Sequence, residues 1–194
     1  MKIQCSILLI FSVALLQAQQ LEFPHEAINF TIDSTFFTVD GFYFFKNSSN
    51  TTVSRTISYP FPNGSSVVDS SWVYDCSKLI CIPFIKRNND LHFSVTALPN
   101  NTPVVRIGYR ERHDGKTAHY ILTTTKYWNH PLLEASYSLT VPAYIAIISF
   151  SYTPDTTFKQ GNNTLYLFHK KNFMPDKDFI VRFIINSNLE FKKH

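Results

Sequence analysis

The chain has 194 residues, a formal net charge of +4, only 16% charged residues, and five glycines. So mild a basicity in a chain that opens with an export-like leader argues against nucleic acid as a partner. The glycines fall singly in turn-like settings, which excludes a phosphate-cradling loop.

Residues 1 to 18 read as a cleaved secretory signal: Lys2 supplies the positive start, Ile7 to Leu16 the apolar core, and Ala18 a small residue for cleavage. The apolar run is shorter than the roughly 20 residues of a spanning helix. Cys5 lies inside that run without a lipobox. Residues 19 to 194 are then expected to form a single secreted or periplasmic domain. A chain of that size buries about 70% of its unfolded surface. Ala143 to Phe150 is the best later apolar stretch and is too short to cross a bilayer, so no transmembrane segment is expected in the mature chain.

The first strands are expected at Ile28 to Val39 and Phe42 to Lys46, joined through Asp40-Gly41, a pair that suits the positive φ angles of a type I′ turn. Phe36, Phe37, Phe42, Tyr43, Phe44 and Phe45 cluster here. They suit a sandwich core, with an exposed aromatic platform as the alternative. Polar connectors at 47 to 50 and 63 to 66 flank strands around Val53 to Tyr59 and Val67 to Tyr74. Further strands fit Leu79 to Ile85, Leu91 to Leu98, Tyr144 to Tyr152, Thr164 to His169 and Phe179 to Ile185. Asn-x-Ser/Thr occurs at Asn29, Asn47, Asn50, Asn63, Asn100 and Asn162. In a eukaryotic secretory pathway these would be surface glycan acceptors; the short AQ-ended leader favours a bacterial setting, where they reflect composition alone.

The stretch from Val104 to Pro142 carries the clearest pattern. Val105, Ile107 and Tyr109 alternate with Arg106, Arg110 and Arg112, and Asp114-Gly115 then predicts a hairpin to a partner strand beginning near Tyr120. Trp128-Asn129-His130-Pro131 must turn the chain, because proline lacks an N–H and pushes its predecessor out of the α region. Glu134 to Val141 resumes as an alternating strand that Pro142 ends. About ten short strands, with no 3.6-residue periodicity, indicate an all-β protein, an antiparallel β-sandwich.

Trp128-x-x-Pro131-Leu132, the E-A-x-Y-x-L-x-V-P run from Glu134 to Pro142, and Asn172-Phe173-Met174-Pro175-Asp176 together resemble segments of uncharacterised extracytoplasmic bacterial β-sandwich domains. The resemblance covers a minority of the chain. It implies the fold and the compartment and transfers no catalytic residue.

Cys76 and Cys81 are the cysteines of the mature chain, and an exported pair reads as a disulfide. Five steps of straight strand would cover about 16 Å, whereas a disulfide needs Cα atoms within about 7 Å. Residues 77 to 80 would therefore have to form a tight loop, and the staple would contribute about 2 kcal/mol.

The seven histidines, His25, His92, His113, His119, His130, His169 and His194, have no metal-binding spacing, and no cofactor is indicated. Glu111-Arg112-His113-Asp114 is expected at a wet hairpin tip, where little tunes a pKa. Asp176 and Asp178 lack the glycine and further ligands of a calcium loop, and there is no G-x-S-x-G. The expectation is a non-enzymatic module that binds a partner protein or a polysaccharide of the cell envelope. Its candidate binding residues are Trp128, His130, Arg106, Arg110 and Arg112, since Trp and Arg are enriched at binding hot spots. The alternative is a carbohydrate-active hydrolase whose carboxylates, Glu111 and Glu134 first, assemble in the fold. A third reading is a structural subunit that adds a strand to a neighbour.

Overall fold

Period-two alternation of apolar and polar residues turns nearly every segment of this chain into a strand. A computed structural model describes residues 21–62 and 68–186, so the leader, Asn63 and His194 lie outside the described residues. In order, the strands are β1 (Glu22–Ile32), β2 (Phe36–Lys46), β3 (Val53–Pro60), β4 (Val68–Asp75), β5 (Ile80–Cys81), β6 (Ile85–Arg87), β7 (Asp90–Ala97), β8 (Val104–Arg112), β9 (Thr117–Tyr120), β10 (Leu132–Pro142), β11 (Ile145–Phe150), β12 (Thr156–Gln160), β13 (Asn163–Phe173) and β14 (Phe179–Ile185). A 3-10 helix, Thr123–Trp128, follows β9. The all-β sandwich-like fold is as expected, with fourteen strands among the described residues where about ten were anticipated.

Eight strands form one sheet in the order β12-β13-β10-β1-β2-β8-β4-β5, and two three-stranded sheets, β11-β14-β9 and β3-β7-β6, complete the fold. All pairings are antiparallel except β1 with β10. Both small sheets cover the same face of the large one. Phe30 on β1 stacks on Phe179 of β14 with ring centroids 4.5 Å apart, and Tyr43 of β2, on that same face, meets Tyr59 of β3. The alternation along β2 is complete: Phe37, Val39, Tyr43 and Phe45 are buried, while Phe36, Phe42 and Phe44 sit half-exposed on the outer face.

Neither Asp-Gly pair makes the hairpin expected of it. Asp40 and Gly41 lie inside β2, and the chain reverses earlier, where Asp33 Oδ1 accepts the Thr35 and Phe36 amides at 2.7 and 2.6 Å. Gly41 is required by a close approach, because the Tyr43 ring lies over it and a Cβ there would come within 2.6 Å of that ring. Asp114-Gly115 does turn, with Gly115 at φ +78° and Asp114 Oδ1 accepting the Lys116 and Thr117 amides. It carries the chain from one sheet to another. Both edges of β8 are already occupied, by β2 and β4, so β9 pairs with β14.

Cys76 and Cys81 are free thiols in this structure, which corrects the expected disulfide. The β4–β5 register pairs Tyr74 with Cys81 and Asp75 with Ile80, placing Cys76 diagonal to Cys81. Diagonal neighbours sit about 7–8 Å apart, beyond the Cα separation of up to about 7 Å that a disulfide tolerates. Asp75 sustains that register by accepting the Ser77 and Lys78 amides. Asn47 is likewise no surface acceptor: it is 1% exposed and its amide donates to the Thr51, Ala97 and Leu98 carbonyls.

Gly108 gives a direct check of how tightly the sheet is packed. A Cβ there would lie 2.4 Å from the Trp72 ring and 2.6 Å from the Val39 carbonyl oxygen, and that carbonyl is backbone. Gly108→Ala is expected to cost about 1–3 kcal/mol through overpacking, read as a lower urea midpoint; an unchanged midpoint would mean that Trp72 swings aside freely.

Candidate cavity between the small sheets

Where the two three-stranded sheets fail to meet, a cavity of about 460 Å³ opens onto the inner face of the large sheet. Its floor comes from β1, β2 and β8 through Phe23, Glu26, Tyr43 and Ile107, and one wall comes from β3. The opposite wall is the segment from Tyr120 to Trp128. Asp178, which the sequence offered only as an incomplete calcium-loop carboxylate, positions that wall. Its Oδ1 accepts the Leu122 and Thr123 amides and the Thr123 hydroxyl, while Oδ2 meets His119 Nε2 at 3.0 Å.

Seven of the nineteen lining residues are aromatic. Trp128 packs against Phe23 and Phe45 with ring centroids 5.4 and 5.7 Å away, and the Arg55 guanidinium lies 4.1 Å from the Trp128 ring. Deeper in, the Tyr43 hydroxyl is bonded to those of Tyr59 at 3.0 Å and Tyr120 at 2.8 Å. Asp90, which accepts a hydrogen bond from Ser58, stands with Arg55 among the lining residues.

The ionisable group of the floor is Glu26, 5% exposed. It occupies the inward register of Ile28, Phe30 and Ile32 on β1. Burial raises its pKa to about 7, against the opposing effect of a hydrogen bond that the Tyr137 hydroxyl donates to Oε1. Burial also raises the Tyr43, Tyr59 and Tyr120 hydroxyls well above their ordinary value, so all three are neutral donors and acceptors.

The expected binding residues are divided by the large sheet. Trp128 is at the cavity and half-buried. His130 does not line it; its Nδ1 donates to the Pro131 carbonyl, and its buried Nε2 has no partner among the described residues. Arg106, Arg110 and Arg112 project from the other face of β8. Arg106 binds both oxygens of Asp40 at 2.8 and 2.7 Å, Arg110 pairs with Asp69, and Arg110 and Arg112 both lie over the Phe36 ring.

Glu111 is not at a wet tip. It is 3% exposed, burial raises its pKa to about 7, and its Oε2 has no partner among the described residues. Glu134 is on an exposed part of β10, 3.4 Å from His169. Two strands separate β10 from β8, which puts Glu111 and Glu134 about 14 Å apart laterally before any offset along the strands. A hydrolytic pair needs about 5–9.5 Å, so these two carboxylates do not form one. Among the described residues no three His, Cys, Asp or Glu side chains converge as a metal site. No helix there is long and apolar enough to cross a membrane.

No protein-family model and no curated protein matches this chain. Its likeness to known proteins is one of fold. The chain is similar to the solved structure of a "putative nutrient binding protein" from Legionella pneumophila, with a TM-score of 0.68 and 15% identity over 84% of this chain and 67% of that one. It is also similar to an M1 zinc metallopeptidase from Deinococcus radiodurans, with a TM-score of 0.52 and 12% identity. That match covers 84% of this chain but 42% of the peptidase.

The cavity residues that sequence reasoning missed are Glu26, Arg55, Tyr59 and Tyr120. One signal was legible: Glu26 and Glu111 each stand where the alternation of their strand calls for an apolar residue. The meeting of Tyr59 with Tyr120 had no local sign, since they lie on strands of different sheets.

Proposed function

We propose that this chain is an exported, non-enzymatic binding module that takes a small organic ligand into the aromatic cavity between its two three-stranded sheets. The observation that carries the reading is the cavity: about 460 Å³ of space, seven aromatic side chains among aliphatic and hydroxyl ones in its lining, and a few convergent polar groups at the floor. Small-molecule sites typically span about 300–1,000 Å³ with that kind of lining. The leader-like start supports a secreted or periplasmic setting, and the fold likeness to a protein described as nutrient-binding is consistent with it. A partner protein or envelope polysaccharide would instead use the rim, where Tyr127 is 66% exposed.

A thermal-shift screen of amines, amino acids, sugars and nucleosides is expected to give hits that raise the melting temperature. Thr124→Trp, which fills the cavity from its wall, should abolish those shifts. Binding that survives the filled cavity would move the site to the rim, and turnover of a bound compound would overturn the non-enzymatic reading.

A further inference from the structure

The strongest unexplained feature of the cavity is a carboxyl group placed among ring faces. Glu26 lies at the floor with Tyr43, Tyr59 and Tyr120 around it and Phe23 and Trp128 further out. A carboxyl in that position is costly to bury, and a hydrophobic residue would continue the β1 register without the cost. Arg55 is the basic residue of the lining, and it is held against the Trp128 ring at the edge of the aromatic wall. An anion reaching the floor would meet Glu26 with no basic partner from the lining. A cation would meet a carboxyl group and several aromatic faces, the combination by which proteins recognise ammonium groups.

We propose that the cavity selects a small organic cation, a protonated amine on an apolar or aromatic body, with its ammonium directed to Glu26 and its body enclosed by Phe23, Phe45 and Trp128. The proposal rests on the small-molecule reading above and narrows it to a chemical class. The hydroxyl network fits this ligand. Three tyrosine hydroxyls share two hydrogen bonds, which leaves lone pairs to accept N–H groups. Tyr137 completes the arrangement from β10 by donating to Glu26 Oε1. The titratable groups facing Glu26 are thus tyrosines from β2, β3, β9 and β10.

An ammonium needs the ionised carboxylate, so binding displaces the Glu26 proton. The amine affinity should rise with pH up to about the Glu26 midpoint near 7 and then level off. Tyr137→Phe removes the hydrogen bond that favours the ionised form, and it should move that midpoint upward.

The test is titration calorimetry of the full chain with phenethylamine, 2-phenylethanol and phenylacetate, which share a body and differ in charge. At about pH 8 the amine is expected to bind at least about tenfold more tightly than the alcohol, one charge-assisted hydrogen bond being worth that much, with phenylacetate weakest. Glu26→Gln should erase the amine preference while leaving the alcohol affinity in place. Equal affinity for amine and alcohol, or an amine preference that persists in a folded Glu26→Gln protein, overturns the cation assignment and leaves the small-molecule reading standing. If Glu26→Gln does not fold, the upward pH displacement in Tyr137→Phe decides, and an unmoved midpoint overturns the assignment. Failure of all three probes to bind overturns it as well; failure of the wider screen in addition removes the cavity reading itself.

Discussion

Between about pH 4.5 and pH 8 the protein is expected to lose a large part of its folding stability. Glu26 and Glu111 are both buried, and burial raises each from 4.5 to about 7 in the folded state. A carboxyl whose folded pKa lies above its unfolded value favours folding fully below the unfolded pKa, and that contribution disappears as pH rises through the folded pKa. Each shift corresponds to something on the order of 3 kcal/mol, and a domain of this kind has about 5–15 kcal/mol in total. Against the upward push of their own burial, hydrogen bonds hold Asp75 and Asp178 low. Those two groups act in acid, below this window. Urea unfolding at the two pH values should show a clearly lower midpoint at the higher one. Glu111→Gln should remove about half of the difference, because the amide cannot ionise. A midpoint that is flat across the window would mean that both carboxyls are hydrated in solution.

Phe30→Ala should be the most damaging single truncation, with a loss of about 3–5 kcal/mol. Phe30 is fully buried on β1 and stacks on Phe179 of β14 at 4.5 Å. It also lies 5.7 Å from the Phe37 ring, 5.3 Å from Tyr120 and 6.2 Å from Tyr137. The ring therefore joins the large sheet to the β11-β14-β9 sheet, and strands on both sides limit collapse around the void. Phe30→Leu should cost appreciably less, since most of the volume remains. A loss below about 1 kcal/mol for the alanine variant would show that the two sheets close over the gap, and the ring would then be no keystone.

How far the fold was legible depended on which pattern was being read. Alternation located β10, β14 and β3 to within a residue or two, because a half-buried strand needs one apolar face whatever it pairs with. Turn chemistry was less informative. Asp40-Gly41 looks like Asp114-Gly115 in sequence, yet Gly41 is small because the Tyr43 ring lies on it, and only Gly115 takes a positive φ. The arginines of β8 were correctly placed on one side of their strand. Their carboxylate partners Asp40 and Asp69 come from β2 and β4, positions far away in the chain that no local pattern announces.

By itself the sequence determined the all-β class and the place and inward side of strands such as β3, β10 and β14; it did not separate β1 from β2, and Glu111, expected at a wet tip, is buried, as is Glu26. Tertiary structure alone decided the partners: that β8 passes β9 by, that β1 runs parallel to β10, and that two small sheets leave a seam in which Tyr43, Tyr59 and Tyr120 meet over Glu26. The reason is physical. Alternation is set residue by residue along the chain, whereas strand order and the cavity depend on which distant edges are already occupied when the layers close.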